Sequence, residues 1–465
     1  MAGPKLHVAV LAFPFGCHAK PVLNLVCKLA TAIPQSHFSF FNTSKSNDAL
    51  FFSSSHSDFP ANVKPYSVED GVPGGCHLSP ANPPESLEVF LAATPENYVR
   101  AIDRAVTETG KNVSCLITDG FLLFSGKIAE NLNVPWVPVW IPFPSSLSAH
   151  IYTDLIRRSY INNGDNNGTL EFVPGLSEMR ISDLPDEVLI HGDSEETILS
   201  QMLSQTDRLL PRANAIVMNF YEELNPPLLT RDLNSKFQNL FNVGFLTLSL
   251  PPSPLPPSDS DPTGCLSWLD GQRTTSVAYI SFGTLATPPR EELAAIAEAL
   301  EASGLQFLWS LRDNLADLLP NGFVERTKEV GKIVTWAPQA LVLGHGSVGV
   351  FVTHCGCNSV YESIANGVPM ICRPFFGDHR MIGRAVEEVW GVGVRVEDGV
   401  FTKTGLLQCL EVILEDHHQR GKEIEKNVKA LKEVILKAAQ PNGTASKDLE
   451  SLMNIISVGT RTNLI

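Results

Sequence analysis

Between His354 and Arg380 the chain reads HCGCNSVYESIANGVPMICRPFFGDHR, an order of residue types suited to a charged, hydroxyl-rich ligand. A β-branched and aromatic run ends at His354, a glycine permits a tight turn, and Asn358 and Ser359 open a helical stretch. Free N–H groups and the macrodipole at such a helix start favour a phosphate. Glu362, one turn further on, can accept hydrogen bonds from ribose hydroxyls. Trp336, closing an earlier apolar run, offers a flat ring on which a base can stack. Singly each is ordinary, Asn358 or Ser359 as a plain N-cap and Trp336 as core. Their order along one segment points to a nucleoside diphosphate.

The elements that must hold this segment follow from the patterning. A chain of 465 residues exceeds what one core usually organises, so two domains are expected. LHVAVLAF, HFSFFNT, VSCLITDG and PWVPVWI read as buried strands, with helical stretches such as Lys20 to Ala32 and Ser145 to Arg158 between them. SVAYISFG, LQFLWSLR, GKIVTWAP, VGVFVTH and PMICRP repeat the grammar, with helices at Arg290 to Ala302, Asn358 to Ala365 and Met381 to Trp390. Strands alternating with helices predict an α/β class built on doubly wound parallel sheets. Between the halves, LPPSPLPPSDSDPTG carries six prolines and reads as an extended linker. The expected division is a first domain over 1–249, a linker over 250–264, a second domain over 265–445 and a final helix over 446–465. The charged run Asp416 to Leu436 reads as a solvated face, and the tracts 161–169 and 53–60 as surface loops. Two such domains make a cleft at the carboxyl ends of their strands, where ligands bind.

Composition narrows the partners. A net charge of −15 without a basic stripe argues against nucleic acid or an anionic membrane. The first apolar run lacks a basic leader and a small-residue cleavage site, and no run reaches the ~18–20 apolar residues of a spanning helix. Nine scattered cysteines suit reduced thiols in a cytoplasmic protein, in which the four sequons starting at Asn42, Asn112, Asn167 and Asn442 are chance matches.

The stretch from Trp336 to His379 spans 44 residues and resembles the signature box of plant family-one UDP-dependent glycosyltransferases. The likeness extends to FPFGCHAKP, YISFGT, CLSWLD and LWSLRD, and within the family it is most similar to flavonoid 3-O-glycosyltransferases, through FFNTSKSN, DGVP and PMICRPFFGD. The resemblance implies a GT-B fold of two Rossmann-like domains. It also implies that Trp336 stacks the uracil and the Ala337 backbone reads its edge, with Gln339 and Glu362 on the ribose. His354, Asn358, Ser359, Thr284 and Ser310 would contact the diphosphate, and Asp378 and His379 the sugar. It further points to His18, after the first strand, and Asp119, at the end of CLITDG, as the catalytic pair. Physical chemistry agrees: a neutral imidazole with an unperturbed pKa near ~6.5 can take the acceptor's proton. Asp119 would fix its tautomer. One displacement would invert the anomeric centre. No metal is expected, because the helix dipole can balance the diphosphate, the single D-x-D (Asp259 to Asp261) lies in the linker, and HCGC lacks a fourth zinc ligand. No other cofactor is expected either; the UDP-sugar is a co-substrate.

Three positions depart from the family's glucose-using pattern. His379 stands where the box usually ends in Gln, Cys357 where Trp is usual, and Ile141, between Trp140 and Pro142, where a Thr usually meets the sugar's 6-hydroxyl. An apolar wall at Ile141 would cost a 6-hydroxyl about 1–3 kcal/mol in lost hydrogen bonding. A methyl group would gain about 0.8 kcal/mol by burial there. UDP-rhamnose is therefore the first expectation. Galactose or arabinose would explain His379 without explaining Ile141, and glucose remains if these changes are neutral. The acceptor implied is a flavonol or anthocyanidin 3-hydroxyl, in a pocket at or near Phe15, Phe121, His150 and Phe376. The resemblance supplies no role for Lys20. A monomer acting on small molecules is expected. A nicotinamide oxidoreductase would need G-x-G-x-x-G after the first strand, where FPFGCHAKP has one Gly. A non-catalytic UDP-sugar or flavonoid binding protein would not need His18 and Asp119 together, and a retaining transferase would differ in product configuration.

Overall fold

A computed structural model of the chain describes residues 5–52, 59–72, 83–163, 168–189, 196–415 and 418–458. Residues 53–58 of the tract 53–60, 164–167 of the tract 161–169 and 459–465 of the final segment lie outside the described residues.

The short apolar runs form strands because β-branched and aromatic side chains can be buried on both faces of a parallel sheet. In the first half these are β1 (His7–Leu11), β2 (His37–Thr43), β3 (Val63–Val68), β4 (Cys115–Asp119), β5 (Trp136–Trp140), β6 (Ile216–Met218) and β7 (Leu240–Asn242). They lie in the order β3-β2-β1-β4-β5-β6-β7, all pairs parallel. In the second half β8 (Val277–Ser281), β9 (Gln306–Ser310), β10 (Gly331–Val334), β11 (Val348–Thr353), β12 (Met370–Cys372) and β13 (Gly393–Arg395) lie in the order β10-β9-β8-β11-β12-β13. The expected doubly wound α/β architecture is present in both halves.

Each sheet reverses its strand order once, beside β1 and β4 in the first and beside β8 and β11 in the second. The connections diverge to opposite sides at such a point and leave a crevice at the strand ends. Register places Leu11 opposite Thr118 and Ser281 opposite Thr353. The loops carrying His18 and Asp119 therefore open at one crevice, and those carrying Thr284 and His354 at the other.

The proline-rich stretch holds only a short turn at Ser258–Ser260. Its Asp261 carboxylate accepts the Cys265 and Leu266 N–H groups at 2.8 and 3.1 Å, capping the helix Cys265–Asp270. The charged run is a helix at Gln419–Ala438, and it is not wholly solvated: Ile424, Val428 and Ile435 are buried. Its apolar residues recur at helical spacing and face the domain. The helix Thr444–Val458 lies against β7, where Asp448 accepts the Asn242 N–H at 2.7 Å and Leu452 and Ile456 join the first domain's core. Across the domains, Arg384 and Asp183 form a buried two-point ion pair, and the Trp390 indole N–H donates to the Leu224 carbonyl at 2.9 Å.

Candidate active site

A cavity of about 350 Å³ opens between the two crevices. His18 borders it at the start of the helix Ala19–Ala32. Its Nδ1–H donates to Asp119 Oδ2 at 2.9 Å, while Asp119 Oδ1 accepts the Phe121 N–H at 2.9 Å. Asp119 is 1% exposed, and the rings of Phe13 and Phe121 flank the imidazole at 5.2 and 4.6 Å. Burial opposes charge on His18, but the Asp119 carboxylate outweighs it by charge and hydrogen bond and holds the ring up at about 9. That balance favours the imidazolium in the resting site, where the unperturbed value would favour a neutral ring. The pair also leaves Nε2 as the nitrogen that can exchange a proton at the cavity.

Across from His18 lies the start of the helix Cys357–Asn366. Gly356 is its N-cap and supplies no side chain, so the helix begins one residue earlier than expected. Asn358 and Ser359 therefore sit in the first turn, and their side chains turn elsewhere: Asn358 Oδ1 accepts from Thr247 at 3.3 Å, and Ser359 Oγ accepts from Gln339 at 2.9 Å. The first-turn N–H groups stay available to an anion. His354 is wedged between Gly283 and Gly356, whose added Cβ atoms would lie 2.9 and 2.4 Å from its ring. Those two glycines are what let the imidazole approach the turn. Burial lowers His354 to about 4 and His379 well below the ordinary value, so both rings are neutral. They meet edge-on at 5.1 Å, and each has a buried Nδ1 without a hydrogen-bond partner.

The cavity also gathers Thr284, Phe376, Asp378 and His379 from the second domain, and Phe121, Ile141, Pro142 and His150 from the first. Asp378 Oδ2 accepts the Phe143 N–H across the cleft at 2.8 Å, and burial raises its carboxyl. His150 is neutral, lowered to about 4 by burial. Beside the cavity, Gln339 Nε2–H donates to Glu362 Oε2 at 2.7 Å as well as to Ser359, and burial raises the Glu362 carboxyl. Lys20 projects its charge onto Glu362, which places that lysine at the same cleft. Trp336 is 63% exposed, with Ala337 buried behind it. Ser310 closes β9.

Two expected pocket residues do not border the cavity. Phe15 packs against Phe13 and Phe90, and Trp140 is fully buried behind Phe121 and His150. Ile141 borders it, yet is 1% exposed and belongs to the apolar core with Val8, Ile117 and Val217. Most of its side chain is packed against the sheet, so it contributes only a small apolar part of the cavity wall. Sequence reading missed Cys17, Ser146, Pro185, Glu187, Leu203 and Leu285 at the cavity. Glu187 and Pro185 follow a stretch of turns with no hydrophobic period, where only tertiary packing decides what reaches the cleft. The HCGC thiols diverge: Cys355 faces Cys372 in the sheet, whereas Cys357 faces Cys17.

Two facing doubly wound domains, with the glycine-capped start of the helix Cys357–Asn366 in one and a His–Asp pair in the other, make up a GT-B architecture. Residues 90–434 match the UDP-glucoronosyl and UDP-glucosyl transferase family, and the chain belongs to it: it is a UDP-dependent glycosyltransferase. It is 49% identical over 459 residues, 97% of each chain, to an anthocyanidin 3-O-galactosyltransferase of Rhododendron delavayi. It is 47% identical, again over 97% of each chain, to a flavonol 3-O-glucosyltransferase of Actinidia chinensis var. chinensis. The crystal structure of a UDP-glucose:anthocyanidin 3-O-glucosyltransferase in complex with UDP superposes with a TM-score of 0.91 at 46% identity, covering 98% of this chain and all of that one. Among the described residues no helix is long and apolar enough to cross a membrane.

Proposed function

We propose that the protein transfers a hexose, galactose ahead of glucose, from its UDP-sugar to the 3-hydroxyl of a flavonol or anthocyanidin, with inversion. The observation that carries the chemistry is the His18–Asp119 pair bordering the same cavity as the start of the helix Cys357–Asn366. The acceptor class rests on the relatives, which act on flavonoid 3-positions. The sugar rests on two points. Relatives at 49% and 46% identity are 3-O-galactosyltransferases, and at the cavity His379 presents an imidazole edge where a Gln would present the donor and acceptor of one amide. The expectation of rhamnose finds no support in the relatives, and the Ile141 side chain it depended on packs into the core.

In this reading the flavonoid lies against Phe121, Phe376 and His150, whose flat apolar rings suit a planar polyphenol. Its hydroxyl passes a proton to His18 Nε2 while Nδ1–H stays on Asp119. The oxygen then bonds to the anomeric carbon as the bond to the diphosphate oxygen breaks, and UDP leaves towards the helix start. Uracil stacks on Trp336, the ribose meets Glu362 and Gln339, and the sugar faces Asp378 and His379. A base near pH 9 accepts a phenolic proton with little uphill cost, although only about 1% of the free ring is neutral at pH 7.

The test is a comparison of initial rates with one flavonol and UDP-galactose, UDP-glucose or UDP-rhamnose. Galactose should be fastest. Fastest turnover of rhamnose would return the selectivity to the position of Ile141, and no turnover with any donor would remove the flavonoid acceptor.

A further inference from the structure

Two tyrosines are buried in the second domain, and they differ in what their hydroxyls meet. Tyr361, next to Glu362 on the helix Cys357–Asn366, stacks on Phe245 at 4.1 Å, and its hydroxyl has no hydrogen-bond partner among the described residues. Tyr279, in the middle of β8 and 1% exposed, stacks on Phe351 of β11 at 5.1 Å. Its hydroxyl donates to Gln339 Oε1 at 3.2 Å. The Gln339 amide is then fully engaged, because its Nε2–H groups donate to Ser359 Oγ at 2.9 Å and Glu362 Oε2 at 2.7 Å. Gln339 and Glu362 are both half-buried, and among the described residues the carboxylate's other oxygen takes no hydrogen bond.

We infer, given the proposed placement of the ribose at Glu362, that Tyr279 is a positioning residue for the donor nucleotide: its hydroxyl fixes the Gln339 amide, the amide holds Glu362, and Glu362 selects a nucleotide that carries ribose hydroxyls. The oxygen and nitrogen ends of a Gln amide have nearly the same shape and opposite hydrogen-bonding character. A donor on the strand side therefore decides which end turns to the helix. The phenol draws the amide oxygen to β8 and leaves both N–H groups for Ser359 and Glu362. Burial raises the Tyr279 phenol, so it stays protonated and remains a donor at neutral pH. Burial also raises the Glu362 carboxyl, and the Gln339 hydrogen bond, ahead of the Lys20 charge, works against that rise. The same amide thus orients the carboxylate and favours the charged form that accepts from hydroxyl groups.

Tyr279→Phe keeps the stacked ring and removes one hydroxyl. Gln339 Oε1 is then left against an apolar ring edge, and an acceptor without a partner is costly. The amide swings towards water and takes its N–H groups with it, so Glu362 loses the contact that fixes it. Contacts to the uracil and the diphosphate lie elsewhere in the site and are kept.

The experiment measures the affinity of the full chain for UDP and for 2′,3′-dideoxy-UDP by calorimetry, with denaturant midpoints of the nucleotide-free variants in parallel. Wild type should prefer UDP by about 10- to 100-fold, the range for hydrogen bonds to a charged group. Tyr279→Phe should bind UDP about 3- to 10-fold more weakly and the dideoxy form unchanged, so that the preference shrinks. Tyr361→Phe, which removes the hydroxyl without a partner, should leave both affinities unchanged. In a Gln339→Met background, where no amide oxygen is left to strand, adding Tyr279→Phe should weaken UDP no further. Equal weakening of both nucleotides by Tyr279→Phe, an unchanged UDP affinity, or additive losses in the double variant would overturn the inference. Glu362→Gln should lose most of the preference. If it keeps the full preference, the ribose is not at Glu362 and the inference falls with that placement; if Glu362→Gln loses it and Tyr279→Phe keeps it, only the role of Tyr279 is refuted. No acceptor is present in these measurements, so a chain that glycosylates no flavonoid would refute the proposed acceptor and leave the role of Tyr279 standing.

Discussion

Replacing Asp119 by Asn removes the charge on which the proposed base depends while nearly preserving shape. The His18 ring sits at about 9 where an ordinary one sits at 6.5, a difference corresponding to roughly 3 kcal/mol in favour of the imidazolium. Burial works against that charge, and Asp119, by charge and hydrogen bond, is the largest of the groups that overcome it. In Asp119→Asn burial is opposed only by the lesser charges of Cys17 and Asp378, and the ring falls towards its ordinary value or below it. The acid limb of kcat/KM, which reports the free enzyme's base, should therefore move from near pH 9 towards about 6.5 or below. Rate should fall at the same time. An amide nitrogen donating to Nδ1 forces the proton onto Nε2, the wrong tautomer, and a comparable change in a Ser-His-Asp triad costs about 10⁴-fold. The assay is initial rate against pH from about 5 to 10, at donor saturation and low flavonol. An unmoved acid limb, or a rate within about tenfold of wild type at its optimum, would refute the role given to Asp119.

His379→Gln should shift the ratio of kcat/KM for UDP-galactose over UDP-glucose towards glucose by about 10- to 100-fold, the range of one or two rearranged hydrogen bonds; competition between the two donors in one vessel measures it. Arg384→Ala leaves the buried Asp183 carboxylate with only the more distant Arg395 at 3.8 Å and the Arg180 N–H, at a cost of up to about 3–5 kcal/mol. Arg384→Met with Asp183→Asn should cost clearly less, as read from denaturant midpoints. The raised His18 contributes stability that is complete below pH 6.5 and lost as pH rises through about 9. The melting-temperature advantage of wild type over His18→Gln should therefore shrink across that interval, and an advantage that grew with pH would contradict the assignment.

The sequence made the architecture legible where chemistry is local. Runs such as HFSFFNT became β2 residue for residue, because a buried parallel strand needs only a continuous apolar stretch between turns. β3, β6, β7 and β13 were not foreseen: the last three are three residues each, too short to carry a period, and in β3 a Lys and a Pro interrupt the apolar run VKPYSV, so pairing with a neighbour decides them. His18 and Asp119, 101 residues apart, could be paired because both follow strands at one crevice. What could not be read was direction. Ile141 is mostly packed into the core while touching the cavity, and Trp140 lies behind the cavity wall, although both stand at the correct strand end; alternation along a strand assigns faces only once the sheet's partners are known. The His18 proton affinity was likewise hidden, because it depends on a 2.9 Å contact and on burial, neither of which spacing encodes.

In the proposed reaction His18 activates a flavonoid 3-hydroxyl for one inverting displacement on a UDP-hexose. The most direct measurement is the NMR structure of the product formed from a flavonol and UDP-galactose by wild type and by His18→Ala, with UDP affinity of both determined by calorimetry. A β-linked sugar on O3 from wild type, and no detectable product from a variant that still binds UDP, is the predicted result. An α linkage, attachment at another hydroxyl, or full turnover by His18→Ala would contradict it.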